Sequence, residues 1–153
     1  MGNVQHKWKL EGARCDGFCA CIAFCDDGHY TGAGMNIIEA NRHHIEAALE
    51  YSGGTHLYED VERAILEGRM QIWPGKKSAA VTEVVEYARK KVLHIFVAGG
   101  DMEELIDMID SAAAWGRTQG CTSLTMSGRK GWERVLAPHG FKPVMIVMER
   151  AIE

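Results

Sequence analysis

The side chains that could do chemistry in this chain of 153 residues lie in a few short stretches. Cys15-x3-Cys19-x-Cys21-x3-Cys25, with His29 four residues on, offers enough soft ligands for zinc. It lacks the Cys-x2-Cys knuckle common in structural sites, so no metal is assigned. Glu83 and His94 each interrupt an apolar, β-rich run and are the best base candidates, because burial there would shift their pKa values. Lone polar residues of this kind are more often satisfied core or edge residues, and neither is given a catalytic role. Arg129 and Lys130 stand ahead of a short helix, where charge and free backbone donors would suit an anion. The plainer reading is a Ser127-Gly128 turn leading into a solvated first turn, with Trp132 as a packing anchor. His43, His44, His56 and His139 have no acidic or cysteine partners at ligand spacing.

The elements that must position these groups are legible in the hydrophobic periodicity. Ile37, Ile38, Ile45, Ala48 and Leu49 predict a helix over 37–49 ended by Gly53-Gly54, and Leu57, Val61, Ile65 and Leu66 predict a second over 56–67 stopped by Gly68. Met70–Trp73 reads as a short strand closed by Pro74-Gly75. Ala79–Tyr87 and Val92–Ala98 read as a hairpin turning at Ala88-Arg89-Lys90. Val92–Val97 is nearly continuously apolar, as expected of a central strand covered on both faces. After Gly99-Gly100, the pair Asp101 and Glu104 has capping-box spacing, and an apolar face from Met102 to Gly116 predicts a helix over 101–118. Cys121–Met126 then forms a strand parallel to Val92–Val97 through a right-handed crossover, giving a central βαβ unit. A short helix over 130–137 and a last strand over Pro143–Met148 complete the pattern.

Apolar residues make up 46% and charged residues 25%, so collagen-like, coiled-coil and wholly disordered classes are excluded. One core is expected at this length. The net charge is −4 with scattered basic residues, which argues against nucleic acid as a partner. No run approaches the length of a membrane span and no signal-peptide order is present, so no membrane anchor and a cytoplasmic setting are expected. Five cysteines fit a reducing compartment better than a disulfide scaffold. Residues 1–34, Cys-rich and without periodicity, read as an N-terminal appendage to a domain over 35–153, and Met35 is an alternative start.

Gln71-Ile72-Trp73-Pro74-Gly75, Ala98-Gly99-Gly100-Asp101, Ala114-Trp115 and Gly128-Arg129-Lys130-Gly131-Trp132-Glu133-Arg134-Val135-Leu136 resemble the small GNAT-like (N-acetyltransferase-like) proteins of tailed phages and prophages. The resemblance implies an α/β fold, with a mixed, partly antiparallel sheet and helices on both faces. It also implies acetyl-coenzyme A as the default cofactor and Val97, Ala98, Gly99 and Gly100 as the residual place for it. Two departures from the family pattern stand out. The pyrophosphate loop Arg/Gln-x-x-Gly-x-Gly/Ala is replaced by Gly99-Gly100-Asp101-Met102-Glu103-Glu104, which puts carboxylates where phosphates would sit. Leu136 stands where many relatives carry a tyrosine acid ahead of Gly140-Phe141. The expectation is therefore a phage or prophage GNAT-like protein with a degenerate transfer site and no cofactor. It would work as an assembly or internal virion component in the host cytoplasm or virion, among phage or host proteins. The alternatives are an active acetyl-CoA-dependent N-acetyltransferase (an acyltransferase) with an atypical loop, and a small binding module regulated by its Cys-rich start.

Overall fold

The computed structural model describes residues 37–152. The Cys15–Cys25 cluster, His29 and the proposed start at Met35 lie outside the described residues, as does the appendage over 1–34. A helical turn over 37–40 leads to α1 (Arg42–Leu49), followed by α2 (Tyr58–Leu66), β1 (Met70–Pro74), β2 (Ser78–Tyr87) and β3 (Lys90–Gly100). The chain continues through α3 (Met102–Thr118), β4 (Ser123–Met126), α4 (Gly131–Leu136) and a 3-10 turn over Ala137–His139.

The first expected helix is interrupted at Asn41 (φ −101°, ψ 5°), which is buried and whose side-chain amide donates to the Ile37 carbonyl at 2.8 Å. A local side-chain bond of this kind competes with the helical ladder. The later helices agree with their periodicity to within a few residues, and the hairpin turns at Ala88-Arg89, closing on the pair Tyr87↔Lys90.

The sheet order is β1-β2-β3-β4, antiparallel except for the parallel pair β3–β4. Val92↔Ser123 to Ile95↔Met126 is the register expected of the βαβ unit. Because adjacent strand residues point to opposite faces, Ile72 and Val81 join one core while Trp73 and Ala80 join another. The first core packs Ile45 and Leu49 of α1 and Val61 and Ile65 of α2 on one face; the second packs Leu105 and Ala112 of α3 on the other. Burying each large aliphatic side chain contributes about 1.5–3 kcal/mol. Trp73 keeps its polar tip satisfied, Nε1 donating to Thr82 Oγ1 at 2.9 Å, and meets Trp115 edge-on at 5.9 Å.

The expected last strand does not form. Residues 141–152 carry no helix or strand, and Val144, Met145, Ile146, Val147 and Met148 are 71–89% exposed. Their composition suits a strand, but a strand is a paired state, and among the described residues nothing pairs with them.

Candidate functional site

The site is built by two parallel strands of unequal reach. β4 ends at Met126, opposite Ile95, while β3 runs on to Gly100, so, among the described residues, 96–100 have no partner on that side. On the other side β3 is bulged: Thr82 pairs with Ile95 and Val81 with Val97, leaving Phe96 as the extra residue. A bulge twists its strand and re-aims the local backbone. The opening at the strand ends is lined from both faces by Ile95, Ala98, Met126 and Trp132.

On the α3 face it widens into a cavity of ≈ 40 Å³ walled by Trp73, Leu105, Met108, Ile109, Ala112 and Leu136. Apart from Thr82, whose hydroxyl is held by Trp73, this wall is apolar. On the α1 face a more polar hollow of ≈ 80 Å³ is lined by Tyr51, Ser52, Phe96, Ser127 and Arg129. The Arg129 guanidinium lies 3.8 Å from the Tyr51 ring centroid, a cation–π contact at this mouth, while His56 meets Phe96 edge-on at 4.7 Å. Arg129 is exposed, as the solvated-turn reading expects, and also borders this hollow, while Lys130 is exposed with no capping bond.

The β3–α3 corner is closed by the chain's own groups. A side chain at Gly99 would collide with the His44 carbonyl oxygen, and one at Gly100 (φ 110°) with that of Lys77. The connection is one residue, Asp101. Its N–H donates to the Lys77 carbonyl at 3.1 Å and its carboxylate accepts from the Glu104 N–H at 3.1 Å, capping α3. The expected reciprocal bond from Glu104 is absent. Its carboxylate instead accepts from the Lys76 N–H at 2.7 Å, the Lys77 N–H at 2.9 Å and the Ser78 hydroxyl, strapping α3 to the β1–β2 turn. The Ser78 bond foremost, with those of Lys77 and Lys76, holds the Glu104 carboxyl below its ordinary range.

No protein-family model matches this sequence, and no curated protein matches it. Solved structures do. A probable acetyltransferase superposes with a TM-score of 0.59 at 9% identity, over 78% of this chain and 93% of its own. A predicted acetyltransferase from Clostridium acetobutylicum, with acetyl-CoA, gives 0.59 at 11% over 76% and 91%. An aminoglycoside N-acetyltransferase in complex with CoA gives 0.57 at 13% over 77% and 90%. The fold is that of the GNAT acetyltransferases.

Against that fold, the positions expected to hold a cofactor are unevenly placed. Of Val97, Ala98, Gly99 and Gly100, only Val97 and Ala98 line the opening; Val97 is otherwise buried in the α1–α2 core, and the two glycines are packed against backbone. The diphosphate of acetyl-CoA calls for free N–H groups and cations where a GNAT β-strand enters its helix. Here the Asp101 and Glu104 amides are already bonded, Asp101 and Glu103 present carboxylates, and the adjoining cavity is small. Leu136, at the position where the resemblance places a tyrosine acid in many relatives, is buried in the apolar wall.

Glu83 and His94 are cross-strand partners that continue through His94 Nδ1···Thr125 Oγ1 at 3.0 Å, beside the opening but outside its lining. Burial pushes the His94 imidazole down, opposed by Glu83; burial and then His43 push His44 down. A histidine lowered from 6.5 contributes stability in full above pH 6.5 and loses it as pH falls toward the folded value. A carboxylate lowered from 4.5, as in Glu104, does the same below pH 4.5. Urea unfolding across pH should therefore show stability falling in two stages on acidification, one starting near pH 6.5 and one below 4.5. His94→Gln should reduce the first stage, His44 supplying the remainder; a wild-type profile level down to pH 4.5 contradicts this reading.

Proposed function

We propose that this is a GNAT-fold protein that has kept the strand-end cleft of the acetyltransferases without the means to hold or use acetyl-CoA. The observation that carries the reading is the one-residue β3–α3 corner, where the Asp101 and Glu104 amides are taken by the Lys77 carbonyl and the Asp101 carboxylate and the first turn of α3 adds the acidic Glu103. The wording of residues 71–75, 98–101, 114–115 and 128–136, which resembles phage GNAT-like proteins, supports a role as a phage assembly or internal virion component acting in the host cytoplasm. Proteomics of purified virions tests that part, and absence of the protein from them and from assembly intermediates overturns it.

A second reading, an active N-acetyltransferase, is favoured by the Phe96 bulge beside a cleft open on both faces of the sheet. Thermal unfolding with about 100 µM acetyl-CoA separates the two. A ligand at 100 times its dissociation constant adds about 2.7 kcal/mol, which for a domain of this size raises Tm by roughly 5–10 °C. No measurable rise is expected; a rise of that size promotes the enzyme.

A further inference from the structure

We infer that the gap at the strand ends takes a short aliphatic monocarboxylate, its carboxylate at Arg129 on the α1 face and its alkyl end in the apolar cavity on the α3 face. The inference rests on the reading above, that the cleft is kept without acetyl-CoA, and names what the cleft holds instead. The two spaces are halves of one passage: both border Ile95, Ala98, Met126 and Trp132, where β4 has ended and β3 runs on. They differ in character from end to end. On the α3 face Leu105, Ile109 and Leu136 close the way with apolar side chains. Thr82, the one polar side chain there, has its hydroxyl engaged, accepting from Trp73 Nε1 and donating to Gln71 Oε1. On the α1 face Ser52, Ser127 and Arg129 edge the hollow.

The charge at the open end sets the sign of the head group. Arg129 lies against the Tyr51 ring and takes part in none of the ion pairs among the described residues, which belong to Arg42, Arg69 and Lys91. No acidic residue borders either space, in a chain whose net charge is −4. A cation held by a ring face rather than by a carboxylate keeps N–H donors available, and a guanidinium presents them as a fork that matches a carboxylate. The local backbone keeps it at the mouth. The Trp132 N–H donates to the Arg129 carbonyl at 3.0 Å, and Gly128 leaves room for the indole, since a methyl group there would lie 2.9 Å from Trp132 Cδ1.

The length of the ligand follows from the volumes. An apolar cavity of about 150 Å³ takes a benzene ring. By that measure the ≈ 40 Å³ at the closed end takes about two carbons, and the ≈ 80 Å³ at the open end takes the carboxylate with roughly one or two more. A chain of about four to six carbons spans the passage, and a longer one meets the wall made by α3 and Leu136.

Calorimetric titration of the full chain with the sodium salts of acetate, butyrate, hexanoate and octanoate tests this. Affinity should rise about fourfold per added methylene up to hexanoate, as each one leaves water, and fall again at octanoate. Hexylamine, with the same body and the opposite charge, should not bind. Arg129→Gln should weaken hexanoate at least about tenfold and leave hexanol unchanged, which separates a lost head-group contact from a damaged fold. Ile109→Ala lengthens the closed end and should make octanoate bind better than hexanoate. Hexanoate binding with acetyl-CoA silent in the same titration bears out both this inference and the reading it rests on. A chain that ignores every acid at up to about 10 mM, a series that climbs through octanoate without a break, or an Arg129 variant that binds hexanoate as the parent does overturns the inference and leaves that reading intact. Binding of acetyl-CoA without binding of any carboxylate overturns both.

Discussion

Glu104→Ala should lower the unfolding free energy by about 2–3 kcal/mol, far more than the loss of an ordinary surface carboxylate. The carboxylate satisfies the Lys76 and Lys77 amides and the hydroxyl of Ser78, a residue with no exposed surface. Alanine leaves three donors without their acceptor in a turn that has been built around it. Water reaches the two amides, which is why the expected loss is below the sum of three charge-assisted bonds. Glu104→Gln keeps the shape and one acceptor oxygen, so it should cost roughly half as much and should remove the stage of acid destabilisation below pH 4.5. Urea denaturation of the two variants at pH 7 and pH 4 measures both effects; an alanine variant as stable as the parent would show that the strap contributes nothing. The strap also bears on cofactor binding. Neutralising the β3–α3 corner to relieve repulsion is best done at Asp101 and Glu103, since replacing Glu104 detaches α3 from the β1–β2 turn as well.

Leu93→Ala should cost about 3–4 kcal/mol. Leu93 is fully buried on β3 against α3, and Gly116 is what lets the helix come so close: a methyl group there would lie 3.1 Å from Leu93 Cδ2 and 3.3 Å from Leu93 Cβ. In the parent, Gly116→Ala sets a gain in helix propensity of about 1 kcal/mol against that crowding. Once Leu93 is truncated, the same methyl enters vacated space. The double variant should therefore be less destabilised than the sum of the single variants, by about 1 kcal/mol in a denaturant cycle. Strict additivity would mean that the helix closes the cavity by itself.

The β3–α3–β4 unit could be read without coordinates because each part is signalled locally. Continuous apolarity marks β3, a 3.6-residue stripe marks α3, Asp101 caps it, and handedness leaves one way to lay β4 alongside. α2 was equally legible from Val61 and Ile65, and the departures at Asp101 and Leu136 could be seen by eye. The helix break at Asn41 was not, because an asparagine within an apolar stripe looks the same whether its amide faces solvent or turns back to Ile37.

Other features depended on which distant groups meet. Glu104 has a capping spacing in the sequence, yet its carboxylate goes to amides 27 and 28 positions away, a choice made by how α3 lies across the β1–β2 turn. The cleft exists because β4 stops at Met126 while β3 continues past the Phe96 bulge, and strand length and register are settled by pairing rather than propensity. The stack of Arg129 on Tyr51 joins residues 78 positions apart across the cleft mouth, with no pattern in either segment to announce it. At Pro143–Met148 the residue types determined that the segment favours a strand. Tertiary structure decided that its own sheet does not pair with it, since an extended segment becomes a strand only when another edge supplies its hydrogen bonds.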